Sequence, residues 1–141
     1  MADLSVTVAE VQKPTVGTVD VATAGATITA GQPIYLDAND SNKAKPAAAT
    51  SIALANVKGI ALHAALSGQP VEYQKDGTFT VGATAAPAVG TIYVLSGSAG
   101  GISPHTDATT PASSEYTTII GVGATSSTIK LGILASGVAV P

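Results

Sequence analysis

Gly68-Gln69-Pro70-Val71-Glu72-Tyr73-Gln74-Lys75-Asp76-Gly77-Thr78-Phe79 is the stretch that decides the fold class. A Gly/Pro turn feeds a run in which Val71 and Tyr73 alternate with polar residues, the period-two pattern of a half-buried strand. Asp76-Gly77 follows, the dipeptide favoured in two-residue hairpins because both positions tolerate positive φ. The reading is a strand near 71–74 that turns and pairs with a strand near 78–82.

The rest of the chain repeats this grammar. Gly31-Gln32-Pro33-Ile34-Tyr35-Leu36 and Gly90-Thr91-Ile92-Tyr93-Val94-Leu95 are turns that open strands. Residues 116–122 and 128–134 form a strand pair about the turn at 124–127. Residues 51–66 fit alternation better than a helical period, with a short helical turn near 51–56 as the alternative. Two further strand candidates lie around 16–21 and 26–29. The polar run 37–46 and the Gly/Ser/Thr/Pro-rich run 96–114 read as exposed loops. Leu4, Val6 and Val8 alternate with Ser5, Thr7 and Ala9, which predicts a strand over 3–11 ahead of Pro14.

Composition supports the same class. The 141 residues fit one domain able to bury roughly 68% of its unfolded surface. Val and Ile number 24 against 8 Leu, and Thr numbers 18. These β-branched side chains are stiff at χ1 and pack well on a pleated surface. The 26 Ala sit among Gly, Thr and Pro, in extended or turn contexts rather than helical ones. The expected architecture is all-β: a compact antiparallel barrel or sandwich over 15–141, with residues 1–14 as an extended N-terminal arm.

The two turn-to-strand openings also suggest a duplication. Each is followed by a polar run and then by a strand through glycine, Val57-Lys58-Gly59-Ile60-Ala61 in the first and Ile119-Ile120-Gly121-Val122-Gly123 in the second. Gly31 to Gly59 spans 28 positions and Gly90 to Gly121 spans 31. Two similar halves and chance similarity in a low-diversity sequence both fit this pattern. Superposable halves would decide for duplication.

Several functions are disfavoured. Net charge is −3, with six Lys and no Arg, so the basic stripe that displaces counterions from nucleic acid is absent. There is no Cys for a disulfide or thiolate site. A cleaved leader is not expected, and no run approaches the roughly 18 apolar residues of a membrane span. His63 reads as a rim residue. His105 beside Asp107 forms a His-x-Asp pair without a third ligand. Asp37-Ala38-Asn39-Asp40-Ser41-Asn42 begins like a calcium loop but has Asn42 where Gly is needed and Ala48 where a bidentate Glu is needed. Asn39-Asp40-Ser41 matches the short glycosylation sequon. Ser96-Gly97-Ser98-Ala99-Gly100-Gly101 lacks the Lys of a phosphate loop. Tyr35, Tyr73 and Tyr93 fall within strands, as core or interface anchors. The expectation is a protein that is no enzyme and uses no cofactor or metal.

Taken in order, Gly31-Gln32-Pro33-Ile34-Tyr35, Val57-Lys58-Gly59-Ile60-Ala61, Ser67-Gly68-Gln69-Pro70-Val71-Glu72-Tyr73, Asp76-Gly77-Thr78-Phe79, Val89-Gly90-Thr91-Ile92-Tyr93-Val94 and Ile120-Gly121-Val122-Gly123 give residues 15–135 a likeness. The chain resembles the small head decoration (capsid cement) proteins of tailed bacteriophages. That resemblance implies a β-barrel or β-tulip-like body. It implies attachment to the capsid exterior at junctions of the major capsid protein, in particles assembled in the bacterial host cytoplasm. It further implies self-association as trimers or dimers, with no nucleic-acid or membrane partner and no catalytic residues. A tail or fibre domain, or a carbohydrate-binding or adhesin module, is the alternative. The apolar face of the arm, Leu4, Val6, Val8 and Val11, is the expected protein interface, acting by strand addition to an exposed capsid edge.

Overall fold

The structure is a computed structural model that describes residues 3–14, 17–83, 85–106 and 111–141. Ten strands follow one another: β1 (Val19–Thr23), β2 (Pro33–Asp37), β3 (Lys43–Pro46), β4 (Gly59–Ala61), β5 (Pro70–Gln74), β6 (Gly77–Thr80), β7 (Ile92–Leu95), β8 (Ile102–Pro104), β9 (Tyr116–Gly123) and β10 (Thr128–Ala139). They form two five-stranded sheets, ordered β1-β5-β4-β2-β3 and β6-β10-β9-β7-β8. Every strand pair is antiparallel. The all-β expectation holds, as a sandwich rather than a closed barrel.

The two sheets have one topology. Strands one to five of the first sheet and six to ten of the second take up the same order, so β2 corresponds to β7, β4 to β9 and β5 to β10. Gly31 N–H donates to Ala61 O and Gly90 N–H donates to Gly123 O, both at 2.8 Å. The two turn-to-strand openings therefore sit at equivalent places in the two sheets. The match through the glycines of β4 and β9 is one step out of register, however. Ile34 pairs with Gly59, whereas Ile92 pairs with Val122. Gly59 abuts Tyr73, in the outer cluster of its sheet, while Gly121 abuts Ile129 in the central core.

The core between the sheets contains Tyr35, Ile60, Phe79, Tyr93, Leu95, Ile120, Ile129 and Leu131. Period-two alternation sends their neighbours outward. On the first sheet those neighbours meet a second core of Ile34, Ala61, Val71 and Tyr73, covered by Ala24, Ile28 and Ala65 from the connections 24–32 and 62–69. The two connections bond to each other through an Ile28–Ala65 bridge, with N–H···O distances of 2.8 and 3.0 Å. They also bond through Gly68 N–H to Ala24 O at 2.7 Å. Each covering segment thus satisfies backbone groups of the other, which lets irregular chain lie on an apolar face.

Asp76-Gly77 is not a hairpin tip. β5 already has β1 on one edge and β4 on the other, so β6 cannot pair with it. The chain instead crosses between sheets, and β6 pairs with β10. Gly77 takes φ +82° at this corner. The Gln74 amide donates to Asp76 O (2.8 Å) and Thr78 O (3.0 Å), and the Asp76 carboxylate accepts from Thr18 N–H (2.7 Å) and Thr18 O–H (3.1 Å).

Other expectations are corrected too. Residues 3–11 form no strand; they run extended into a 3-10 turn at Val8–Glu10. Residues 26–29 contribute only the isolated Ile28 bridge. The polar run 37–46 is a 3-10 turn (Ala38–Asp40) followed by β3, with Ser41 and Asn42 at positive φ closing a hairpin onto β2. β8 lies inside the run read as a long loop, and of 51–66 only Gly59–Ala61 is strand. Of the first strand candidate, Val16 lies outside the described residues.

Candidate interaction surfaces

The expected interface residues of the arm are mostly spent on the chain's own body. Leu4, Val6 and Val11 pack against the central core, and only Val8 stands out, 47% exposed. The segment crosses from one edge of the second sheet toward the other. Leu4 N–H donates to Ile102 O on β8 (2.7 Å), and Thr7 N–H donates to Val81 O just past β6 (2.8 Å). The Glu10 carboxylate then accepts from Ala83 N–H at 2.9 Å. Small residues make the seat: a Cβ at Gly31 would strike Val6, and one at Gly82 would strike Thr7. Alternation in the sequence correctly marked Leu4 and Val6 as buried on one side. It could not show that the covering surface belongs to the same chain.

The polar candidates are occupied by internal bonds. Lys45 Nζ lies 2.8 Å from Asp37 Oδ2 and 3.1 Å from Asp40 Oδ2, and Lys43 Nζ lies 3.4 Å from Asp40 Oδ1. The Lys45 hydrogen bond holds the Asp37 and Asp40 carboxyls below their ordinary range, and the two carboxylates raise Lys45. The carboxylates that began a calcium-like pattern thus face ammonium groups. They are a clamp at the β2–β3 turn, with Asn39 N–H on Asp37 Oδ1 completing it.

His63 Nε2 accepts from Glu72 N–H (3.1 Å), and its Nδ1 donates to Ala64 O (2.9 Å). The ring is thus tied at both nitrogens to backbone. His105 Nδ1 lies 3.2 Å from Ile92 O, and its sequence partner Asp107 is outside the described residues. Burial raises the Tyr73 phenol, with Asp20 adding to the effect. The Tyr93 phenolic oxygen accepts from Ala88 N–H at 2.8 Å, so this tyrosine anchors a loop. Among the described residues no three His, Cys, Asp or Glu converge as a metal site, and no helix is long and apolar enough to cross a membrane.

What the sequence did not reveal is a surface assembled by strand register. Ile92, Val122, Lys130 and Thr78 are successive cross-strand partners over β7, β9, β10 and β6. They face away from the core, since their neighbours Tyr93, Leu131, Ile129 and Phe79 face into it. A second row on the same face joins Val94, Ile119 and Leu134. Ile92 is 37% exposed, Val122 40% and Leu134 60%, whereas Val94 is buried and Ile119 half-buried. Extra residues on β10 between Leu131 and Leu134, and on β9 between Ile119 and Gly121, bulge the ladder and keep both rows facing outward. No family model matches the chain, and no curated protein matches it.

Proposed function

We propose that this is a structural virion protein that binds the outer surface of a phage capsid and bridges major capsid protein subunits. The supporting observation is the apolar patch of Ile92, Val122 and Leu134, exposed on the outer face of the second sheet, on a body whose first sheet covers Ile34 at the corresponding position. Contiguous exposed apolar surface marks interaction sites more often than scattered apolar residues do. The likeness to head decoration proteins supplies the partner. A capsid repeats one docking site many times, so modest affinity at each contact becomes firm attachment when an oligomer spans several subunits. Self-association as a dimer or trimer is part of the proposal, and Val8 is the arm residue free to join such a contact. The expected location is the virion exterior.

Imaging of purified particles from the source organism at side-chain resolution tests this. Density for the two sheets on the outer shell is the expected result. Density in a tail or fibre would move the protein to another virion part, and absence from every particle would overturn the reading.

A further inference from the structure

We propose that the outer face of the second sheet, centred on Val122 and Lys130, is the contact surface, and that it takes an apolar protein surface carrying a carboxylate opposite Lys130. This rests on the capsid reading and specifies the chemistry of the docking site.

The argument comes from corresponding positions in the two sheets. Ile34 and Ile92 open equivalent strands and both point outward. Ile34 is fully covered, at 0% exposure, by the Ile28 and Ala65 segments, whereas Ile92 has no such cover. The covering connection 62–69 of the first sheet is replaced in the second by the tight turn 124–127, too short to fold back over the face. The apolar position that one half encloses at Ile34 is thus offered outward by the other, at Ile92 and its partner Val122.

Charge narrows the occupant. Lys130 is the only charged residue in the five strands of the second sheet, and it is exposed. Gln74 lies between Val19 and Ile60 as Ile129 lies between Phe79 and Gly123, so Lys75 corresponds to Lys130 and Asp20 to Thr80. In the first sheet the cation meets its acid, with Lys75 Nζ 3.9 Å from Asp20 Oδ2. In the second a threonine replaces the acid, and Lys130 has no ion-pair partner among the described residues. A second copy docked face to face would bring Lys130 against Lys130 with no strand carboxylate to answer it. A different protein with an acid at that point removes the repulsion and sets the register of docking.

The test is co-sedimentation with capsid shells of the source phage purified without this protein. Val122→Asp and Leu134→Asp should each weaken binding by about thirtyfold, as for central interface residues. Lys130→Glu should weaken it by about tenfold, while Lys130→Arg stays within about twofold of wild type. Val21→Asp, on the exposed part of β1, should bind as wild type does. Circular dichroism and thermal melting check folding, and the Lys130 pair keeps the test decisive if an Asp variant misfolds. Wild-type binding with undiminished binding of Lys130→Glu and the Asp variants would overturn this face and leave the capsid reading standing. Failure of the wild type to bind shells would overturn both.

Discussion

The two sheets share strand order and pairing sense, yet the outer face of one is covered, while that of the other is open at Ile92, Val122 and Leu134 and closed only toward Val94 and Ser103. The difference lies in the connections rather than the strands. In the first sheet, residues 24–32 and 62–69 meet over the outer face and bond to each other through Ile28 and Ala65. In the second, a tight turn joins β9 to β10, and Ile92, Val122 and Leu134 stay exposed. Two sheets of one topology can therefore differ in cover where one connection, 62–69 against 124–127, is shortened.

The most severe way to test that division is to truncate the corresponding isoleucines. Ile34→Ala should destabilise the fold by about 2–5 kcal/mol, the range for emptying a packed core site. Ile92→Ala, at a position 37% exposed, should cost only about 1 kcal/mol. Urea denaturation of both variants measures the contrast, and equal losses would erase it. Deleting residues 3–11 comes next. Leu4, Val6 and Val11 leave their places against the core, and a loss of roughly 3 kcal/mol is expected from partial burial of three aliphatic side chains. A deletion variant as stable as the full chain would show the segment to be an adornment of the body rather than a part of it.

Gln74 sharpens the comparison at a single position. It is buried where the second sheet has Ile129, and its amide holds the corner carbonyls of Asp76 and Thr78, while its Oε1 has no partner. Gln74→Leu should cost about 1–2 kcal/mol, because two carbonyls lose a donor while one orphan acceptor disappears. A stabilised Gln74→Leu would mean the corner holds without it.

The smallest effect belongs to the β2–β3 clamp. Asp37 and Asp40 have lowered carboxyl pKa values, so their contribution to stability is fully present above the unfolded carboxylate value. It is lost as pH falls through the lower folded values. Lys45 is raised, so its share persists to high pH. Carboxyl carbon shifts followed by NMR should place both Asp midpoints below the ordinary aspartate range, and Lys45→Met should return them toward it.

Much of the fold was legible where apolar alternation and punctuation coincided. The Ile-Tyr pairs of β2 and β7 and the long alternations of β9 and β10 needed no partner to be recognised. β3 and β8 were hidden because edge strands carry what loops carry: Lys43, Lys45 and Pro46 in one, Ser103 and Pro104 in the other. The Asp76-Gly77 signal failed for a different reason. Turn chemistry is local, and it does not record that both edges of β5 are taken. The candidate face was illegible in the sequence because Ile92, Val122 and Lys130 become neighbours only through register.

The seat of residues 3–11 imposes an order on synthesis. Leu4 leaves the ribosome long before Ile102, whose carbonyl it will meet, and Thr7 long before Val81. At about 5–20 residues per second, this apolar segment spends several seconds without its surface. During that interval it is open to chaperones, to proteases and to neighbouring nascent chains, so crowding on the polysome is a hazard built into the first residues of the fold.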